Sequence, residues 1–148
     1  MLILGVSGHR DLSHSEDLLK GAFQTWCKDH EVSKVITGMA LGFDTIVAEA
    51  CVEMGIPFVA ALPFATQAKI WNPYQQSRYL DLLEKASEIE VVSEGEMETW
   101  KYNHRNQWIV DNSQYLLAYL KPGMTKGGTA DCWRRASSQK KERFWPKG

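Results

Sequence analysis

Three short stretches of this sequence combine glycine with groups suited to an anion. Ser7-Gly8-His9-Arg10 sets a glycine, past which a backbone can come close to a ligand, beside an imidazole and a guanidinium that donate hydrogen bonds to phosphate. Thr37-Gly38-Met39-Ala40-Leu41-Gly42-Phe43-Asp44 carries two glycines straight into a helical pattern, whose first-turn amides point at whatever the loop holds. Lys126-Gly127-Gly128-Thr129 does the same with a capping hydroxyl at a helix start. Each piece has a plainer reading. The first is also a tight turn with surface charges, and short glycine motifs match by accident. Asp44 reads equally as an N-cap that satisfies orphan amides and as a partner for a ribose hydroxyl. The candidate binding residues in these loops are Ser7, Gly8, His9, Arg10, Gly38, Leu41, Gly42, Asp44, Gly127, Gly128 and Thr129.

A fourth element is helical. In EMETWKYNHRNQWIVDNS, Tyr102, Arg105, Asn106 and Ile109 fall at i, i+3, i+4 and i+7 and share one face, which turns Arg105 inward. A guanidinium near a core-facing stripe needs an anionic partner, and either Asp111 or a ligand phosphate would serve. Arg105 and Asn106 join the candidates. Trp100, His104 and Trp108 form the neighbouring stripe and read as core. No histidines, cysteines or carboxylates stand at metal-ligand spacing and there is no nucleophile elbow, so no metal is expected and no catalytic group declares itself.

The elements that must position these loops alternate along the chain. Leu2 to Val6 is a short apolar run ending in Ser7-Gly8, a buried strand. Ser13, three residues before Glu16, has capping-box spacing for a helix over 16 to 29. Lys34 to Thr37 reads as a strand, Ile46 to Met54 as a helix closed by Gly55, and Phe58 to Leu62 as a strand after Pro57. Residues 63 to 74 hold two prolines and no period, a long loop able to cover a site. A helix around Tyr79 to Ala86, a strand Ile89 to Val92, a helix 98 to 112, a strand Tyr115 to Leu120 and a helix from about Thr129 complete the series. The tail from Ser137 reads as loosely tied, with Phe144 and Trp145 as a possible last strand. Strands separated by helices imply right-handed crossovers, and hence a Rossmann-like open parallel α/β sheet of about five strands with helices on both faces.

The totals fit one domain over residues 1 to 148, large enough to bury roughly two thirds of its unfolded surface. The balance of 17 Lys and Arg against 18 Asp and Glu gives a net charge of -1, with no overall field for a polyanion, so nucleic acid is not the expected partner. Cys27, Cys51 and Cys132 are far apart and each sits in an apolar stretch, as reduced core thiols would. No apolar run is long enough for a bilayer, and MLILGVSGHR has no basic leader or cleavage site, so the expectation is a cytoplasmic protein without membrane contact.

At these loops the sequence resembles the SLOG superfamily, most closely its YpsA-like branch. The resemblance runs in order along nearly the whole chain: SGHRDL, TGMALGFDTIVAEA, LPF, WNPYQQSRY, HRNQWIVDNS and GGTAD. It implies a Rossmann-like nucleotide-binding fold, in a superfamily that includes the Lonely Guy phosphoribohydrolases and the DNA-binding protein DprA. In the phosphoribohydrolase branch an Arg-Lys pair on a helix precedes a GGxGTxxE loop, and the arginine and glutamate carry catalysis. Here Arg105 matches the arginine, Asn106 replaces the lysine, the loop shortens to Gly127-Gly128-Thr129, and Cys132 stands where the glutamate would. Asp131 is adjacent, but one residue turns a helical side chain by about 100 degrees, so it is no ready substitute. Breaking an N-glycosidic bond usually takes a carboxyl group. The reading is therefore a binder, with a sensor role in view, of a nucleotide or nucleotide-derived ligand such as an ADP-ribose or NAD-like molecule. The alternatives are a nucleotide N-glycosidase, for which Arg105 is the one catalytic candidate, and DprA-like single-stranded DNA binding. A homo-oligomer is admitted among the partners, and no cofactor beyond the nucleotide is implied.

Overall fold

The computed structural model describes residues 1–147. Its strands are β1 (Leu2–Gly8), β2 (Val32–Thr37), β3 (Phe58–Leu62), β4 (Glu88–Val91), β5 (Tyr115–Tyr119) and β6 (Lys141–Arg143). Between them run α1 (Glu16–Asp29), α2 (Phe43–Met54), α3 (Pro73–Lys85), α4 (Thr99–Asn112) and α5 (Gly128–Arg135). The strands form one sheet in the order β4-β3-β2-β1-β5-β6, and every pairing is parallel. The chain steps outward from β1 in one direction through β2, β3 and β4, then returns to the other side of β1 with β5. The order reverses at β1, so the carboxyl ends of β1, β2 and β5 open on one crevice.

Successive residues of a strand face opposite sides, and the two cores show it. Val35, Phe58, Ala60 and Leu117 join Leu19, Phe23, Ile46 and Val47 on the face covered by α1 and α2. Ile36, Val59, Ala61 and Leu116 join Ile109 and Cys132 on the face covered by α4 and α5. The three cysteines are free and buried, as their apolar settings implied.

Several local expectations are corrected. Ser15 caps α1, its Oγ accepting from Leu18 N at 3.2 Å, while the Ser13 amide donates to the Tyr119 hydroxyl. Asp17 and Glu16 supply the acidic first turn either way, so the sequence pattern did not separate two nearby serines. Helix α3 starts earlier than its apolar stripe: Pro73 is the first helical residue and Asn72 forms a capping box with Gln75. The sixth strand is Lys141–Arg143, ahead of Phe144 and Trp145. It is an edge strand of charged residues with no apolar alternation to betray it. The tail is held, since Leu116 N donates to Lys140 O and Phe144 N to Ala118 O. Of the aromatic stripe read as core, Trp108 packs against the core beneath α4, but Trp100 is 53% exposed and His104 is exposed too.

Candidate functional site

Two clefts open at the carboxyl edge of the sheet, one on each side of the contact between the loops after β1 and β2. That contact is a backbone hydrogen bond from Phe43 N to His9 O at 3.2 Å. Gly42 makes it possible: it caps α2 at φ 84°, and a Cβ there would stand 2.5 Å from both the His9 and Arg10 carbonyl oxygens. The first cleft, of about 480 Å³, takes Ser7 to Arg10 from β1 and its loop, Ala40 and Asp44 from the β2 side, Thr99, Tyr102, Asn103, Arg105 and Asn106 from α4, and Gly128 and Thr129 from α5. The second, of about 420 Å³, includes Arg10, Leu41, Gly42, Thr45 and the start of α3.

The loops after β2 and β5 thus meet at one crevice, but not every candidate residue faces it. Leu41 and Gly42 border the second cleft, and Gly127 is the N-cap of α5, one residue short of the first. Gly38 lies behind Arg105, where a Cβ would come 2.5 Å from Nη1. Its role there is to let the guanidinium approach the backbone. Thr99, Asn103 and Ala40 line the first cleft without having been singled out. A signal existed for two of them, because Thr99, Asn103 and Asn106 repeat at i, i+4 and i+7 as a polar stripe beside the Arg105 face.

Arg105 is 7% exposed. Asp111, offered as its structural partner, is exposed on the far side and accepts from Gln107 at 2.8 Å. Arg105 instead donates from Nη1 to Gly38 O at 2.8 Å and Ala61 O at 3.2 Å, and from Nε to Asn106 Oδ1 at 3.3 Å. Among the described residues Nη2 has no protein acceptor. Burial lowers the Arg105 pKa against the pull of Asp44, yet a guanidinium stays charged in a protein. Asn106 passes the order on: its Nδ2 donates to Gly128 O and to Asp131 Oδ2, both at 3.2 Å, fixing the start of α5 against α4. Asp131 is taken up by that bond and by an ion pair with Arg135 at 2.8 Å.

His9 accepts from Lys121 N through Nε2 at 2.9 Å, which requires a neutral ring with its proton on Nδ1. Burial lowers its pKa, in keeping with that tautomer. His9 therefore offers one donor, not the cationic imidazolium. Asp44 is neither an N-cap nor exposed. It sits one residue inside α2, 5% exposed, with Oδ2 accepting from Ala40 N at 3.3 Å and Oδ1 buried without any partner. Burial drives its pKa from 3.8 up to about 6, with Arg105, the Ala40 amide and Arg10 opposing.

A raised carboxyl pKa means the native state holds the proton more tightly than the unfolded chain. Between about pH 4 and 6 the native state then binds more protons, and stability falls as pH rises. The penalty is absent below about pH 4 and reaches about 3 kcal/mol by pH 7. Asp44→Asn is expected to match the wild type in urea unfolding near pH 4 and to be more stable at pH 7. Equal stabilities across that range would show that Asp44 carries no buried charge.

A family model described as the YspA SLOG family matches residues 7–144. No curated protein matches the chain. Among solved structures it is similar to DNA processing protein A (DprA) from Streptococcus pneumoniae, at 19% identity and TM-score 0.68, over 97% of this chain and 49% of that one. It is also similar to DNA processing protein A from Helicobacter pylori, whose structure concerns a single-stranded DNA binding mode, at 17% identity and TM-score 0.70, over 99% of this chain and 66% of that one. At such identities the likeness is one of fold, and the chain spans only part of either neighbour.

Proposed function

The chain belongs to the YspA SLOG family, and from that premise together with the first cleft we propose that it binds a nucleotide or nucleotide-derived ligand, of ADP-ribose or NAD-like type, by its phosphate. The observation that carries this reading is Arg105: a buried guanidinium in the cleft wall, ordered by backbone carbonyls, with one nitrogen left for a ligand. The α5 N-terminus adds to it, because Gly128 and Thr129 line the cleft and, among the described residues, no side chain caps the helix start. Exposed Arg10 supplies a second cation at the rim. The cleft volume is within the range of roughly 300–1,000 Å³ usual for small-molecule sites.

The second reading is N-glycosidic hydrolysis. It draws on Asp44, a carboxyl with a raised pKa at the cleft. It ranks below binding because Asp44 is the only carboxyl among the lining residues, where glycoside chemistry usually employs two. Single-stranded DNA ranks third, since a net charge of -1 gives no basic field along a groove.

The direct test is mass spectrometry of small molecules released from the purified, denatured protein, followed by calorimetry with whatever is found and with a DNA oligonucleotide. Gly128→Val sharpens it. A Cβ at Gly128 meets nothing within 4 Å, so the fold should tolerate valine, while the branched side chain stands where a phosphate would approach the α5 amides. The expected result is a wild-type melting temperature with affinity down roughly tenfold or more. Unchanged affinity would move the ligand away from α5.

A further inference from the structure

Asp44 and Arg105 occupy the same wall of the first cleft, but they do not neutralise one another directly. Both press on Gly38: a Cβ built there would stand 2.5 Å from Arg105 Nη1 and 3.1 Å from Asp44 Oδ2. Arg105 spends Nη1 on two carbonyl oxygens, and Asp44 spends Oδ2 on the Ala40 amide. What remains on these two cleft-lining residues is, among the described residues, an Arg105 nitrogen without an acceptor and a buried Asp44 oxygen, Oδ1, without a donor, on a residue only 5% exposed. A phosphate drawn in by Arg105 and the α5 amides would share its cleft with Asp44. As a carboxylate, Asp44 would repel a dianion. As a neutral acid, it offers the missing donor.

We propose that Asp44 is part of the phosphate site as a neutral carboxyl that donates from Oδ1 to a phosphate oxygen, so that the ligand and one proton bind together. This rests on the phosphate-site reading of the first cleft. The unusual element is the sign of the residue: an acidic side chain serves an anion by holding a proton. A carboxyl that burial raises to about 6 needs only a modest further push from a dianion to be protonated at neutral pH. The groups that bear on it are few. Arg105 of α4 and Arg10 of the β1 loop favour the charged form, and Cys132 of α5, its thiol pushed up to about 12 by burial, stays neutral. Tyr79 of α3 interacts with Arg105 and is raised by burial, so it too keeps its proton. His9 also lines the cleft, and although burial lowers its pKa and Nε2 accepts from Lys121 N, experiment must separate it from Asp44.

The probe is sulfate, a tetrahedral dianion that does not itself titrate between pH 5 and 8. Calorimetry of the full chain with sulfate, in buffers of different ionisation enthalpy, counts the protons taken up. The expected result at pH 7.5 is uptake approaching one proton per bound ion, with affinity rising roughly tenfold per unit as pH falls toward 6.5 and levelling below about 5.5. Asp44→Asn keeps an oxygen for the Ala40 amide and sets a permanent donor at Oδ1. It should bind sulfate roughly tenfold tighter than wild type at pH 7.5, without pH dependence. Sulfate binding by the wild type with no proton uptake would overturn the proposal, and needs no variant. So would a pH slope that survives in Asp44→Asn, which would assign the proton to His9, or a weaker Asp44→Asn, which would show that a permanent donor at this position does not serve the ion. Failure of sulfate to bind at any pH is a different outcome: it removes the phosphate site itself, and this proposal with it.

Discussion

Arg105→Ala is expected to weaken nucleotide binding ten- to hundredfold and to destabilise the fold by about 3 kcal/mol, two effects with separate causes. The affinity loss follows from charge-assisted hydrogen bonds worth about 1.5–3 kcal/mol to a phosphate. The stability loss follows from what the guanidinium leaves behind: the Ala61 carbonyl oxygen without its side-chain donor, the Gly38 oxygen with Gln67 Nε2 alone, and the Asp44 carboxylate without the cation that most favours its charge. Part of that cost disappears if Asp44 is neutral. In the Asp44→Asn background the same substitution should therefore cost at least ~1 kcal/mol less, a coupling that a double-mutant cycle in urea reads directly. Binding is followed by calorimetry with a panel of nucleoside monophosphates, ADP-ribose and NAD, and free base by chromatography. We expect binding weakened in the variant and no base released by the wild type. Base release that vanishes in Arg105→Ala would establish the hydrolytic reading. A variant that is less stable but keeps its affinity would leave Arg105 a purely structural cation.

The architecture was legible because each strand of a doubly covered sheet is a short continuous apolar run, and those runs stand out between helical stripes. Four of the six strands follow from this; β4, an exposed edge strand of Glu88–Val91, showed only through Ile89 and Val91, and β6 did not show, because Lys141–Arg143 pairs through its backbone at the other edge and carries no apolar pattern. The inward turn of Arg105 and Asn106 was legible from 3.6-residue spacing alone. What Arg105 touches was not, because its acceptors are the backbone carbonyls of Gly38 and Ala61, and a carbonyl has no residue type to read. The same blindness misjudged Trp100: helical spacing gives a stripe but not whether another element covers it. Asp44 shows the limit most clearly. The sequence offered capping or ribose binding, and only the packing of Thr37, Ala40 and Arg105 around it makes it a buried carboxyl with a spare oxygen.

Gly42→Ala is the other large effect, and it tests how the two clefts are built. Alanine at φ 84° and ψ −126° adopts a backbone region that only glycine visits without strain, at a cost of about 1–3 kcal/mol. The added methyl also meets backbone: the His9 and Arg10 oxygens at 2.5 Å and the Arg10 Cα at 2.7 Å. No rotamer relieves a clash with main chain, so the β1 and β2 loops must part, and with them the Phe43 N to His9 O bond. Phe43 cannot follow freely, since it stacks on Tyr119 at 5.1 Å and meets Phe23 edge-on at 6.3 Å in the core. Overpacking of this kind adds about 1–3 kcal/mol. The sum points to a melting temperature lower by roughly 10 °C. Arg10, which lines both clefts, should be displaced, so ligand affinity falls in the fraction still folded. Gly55→Ala is the control: at φ 69° and ψ 24° it is left-handed helical, a milder strain than at Gly42, and nothing lies within 4 Å of its Cβ, so it carries a positive-φ cost without the clash. If the two substitutions lower stability equally, to within about 0.5 kcal/mol, the loop contact at Gly42 is not tight and the ridge between the clefts does not depend on it.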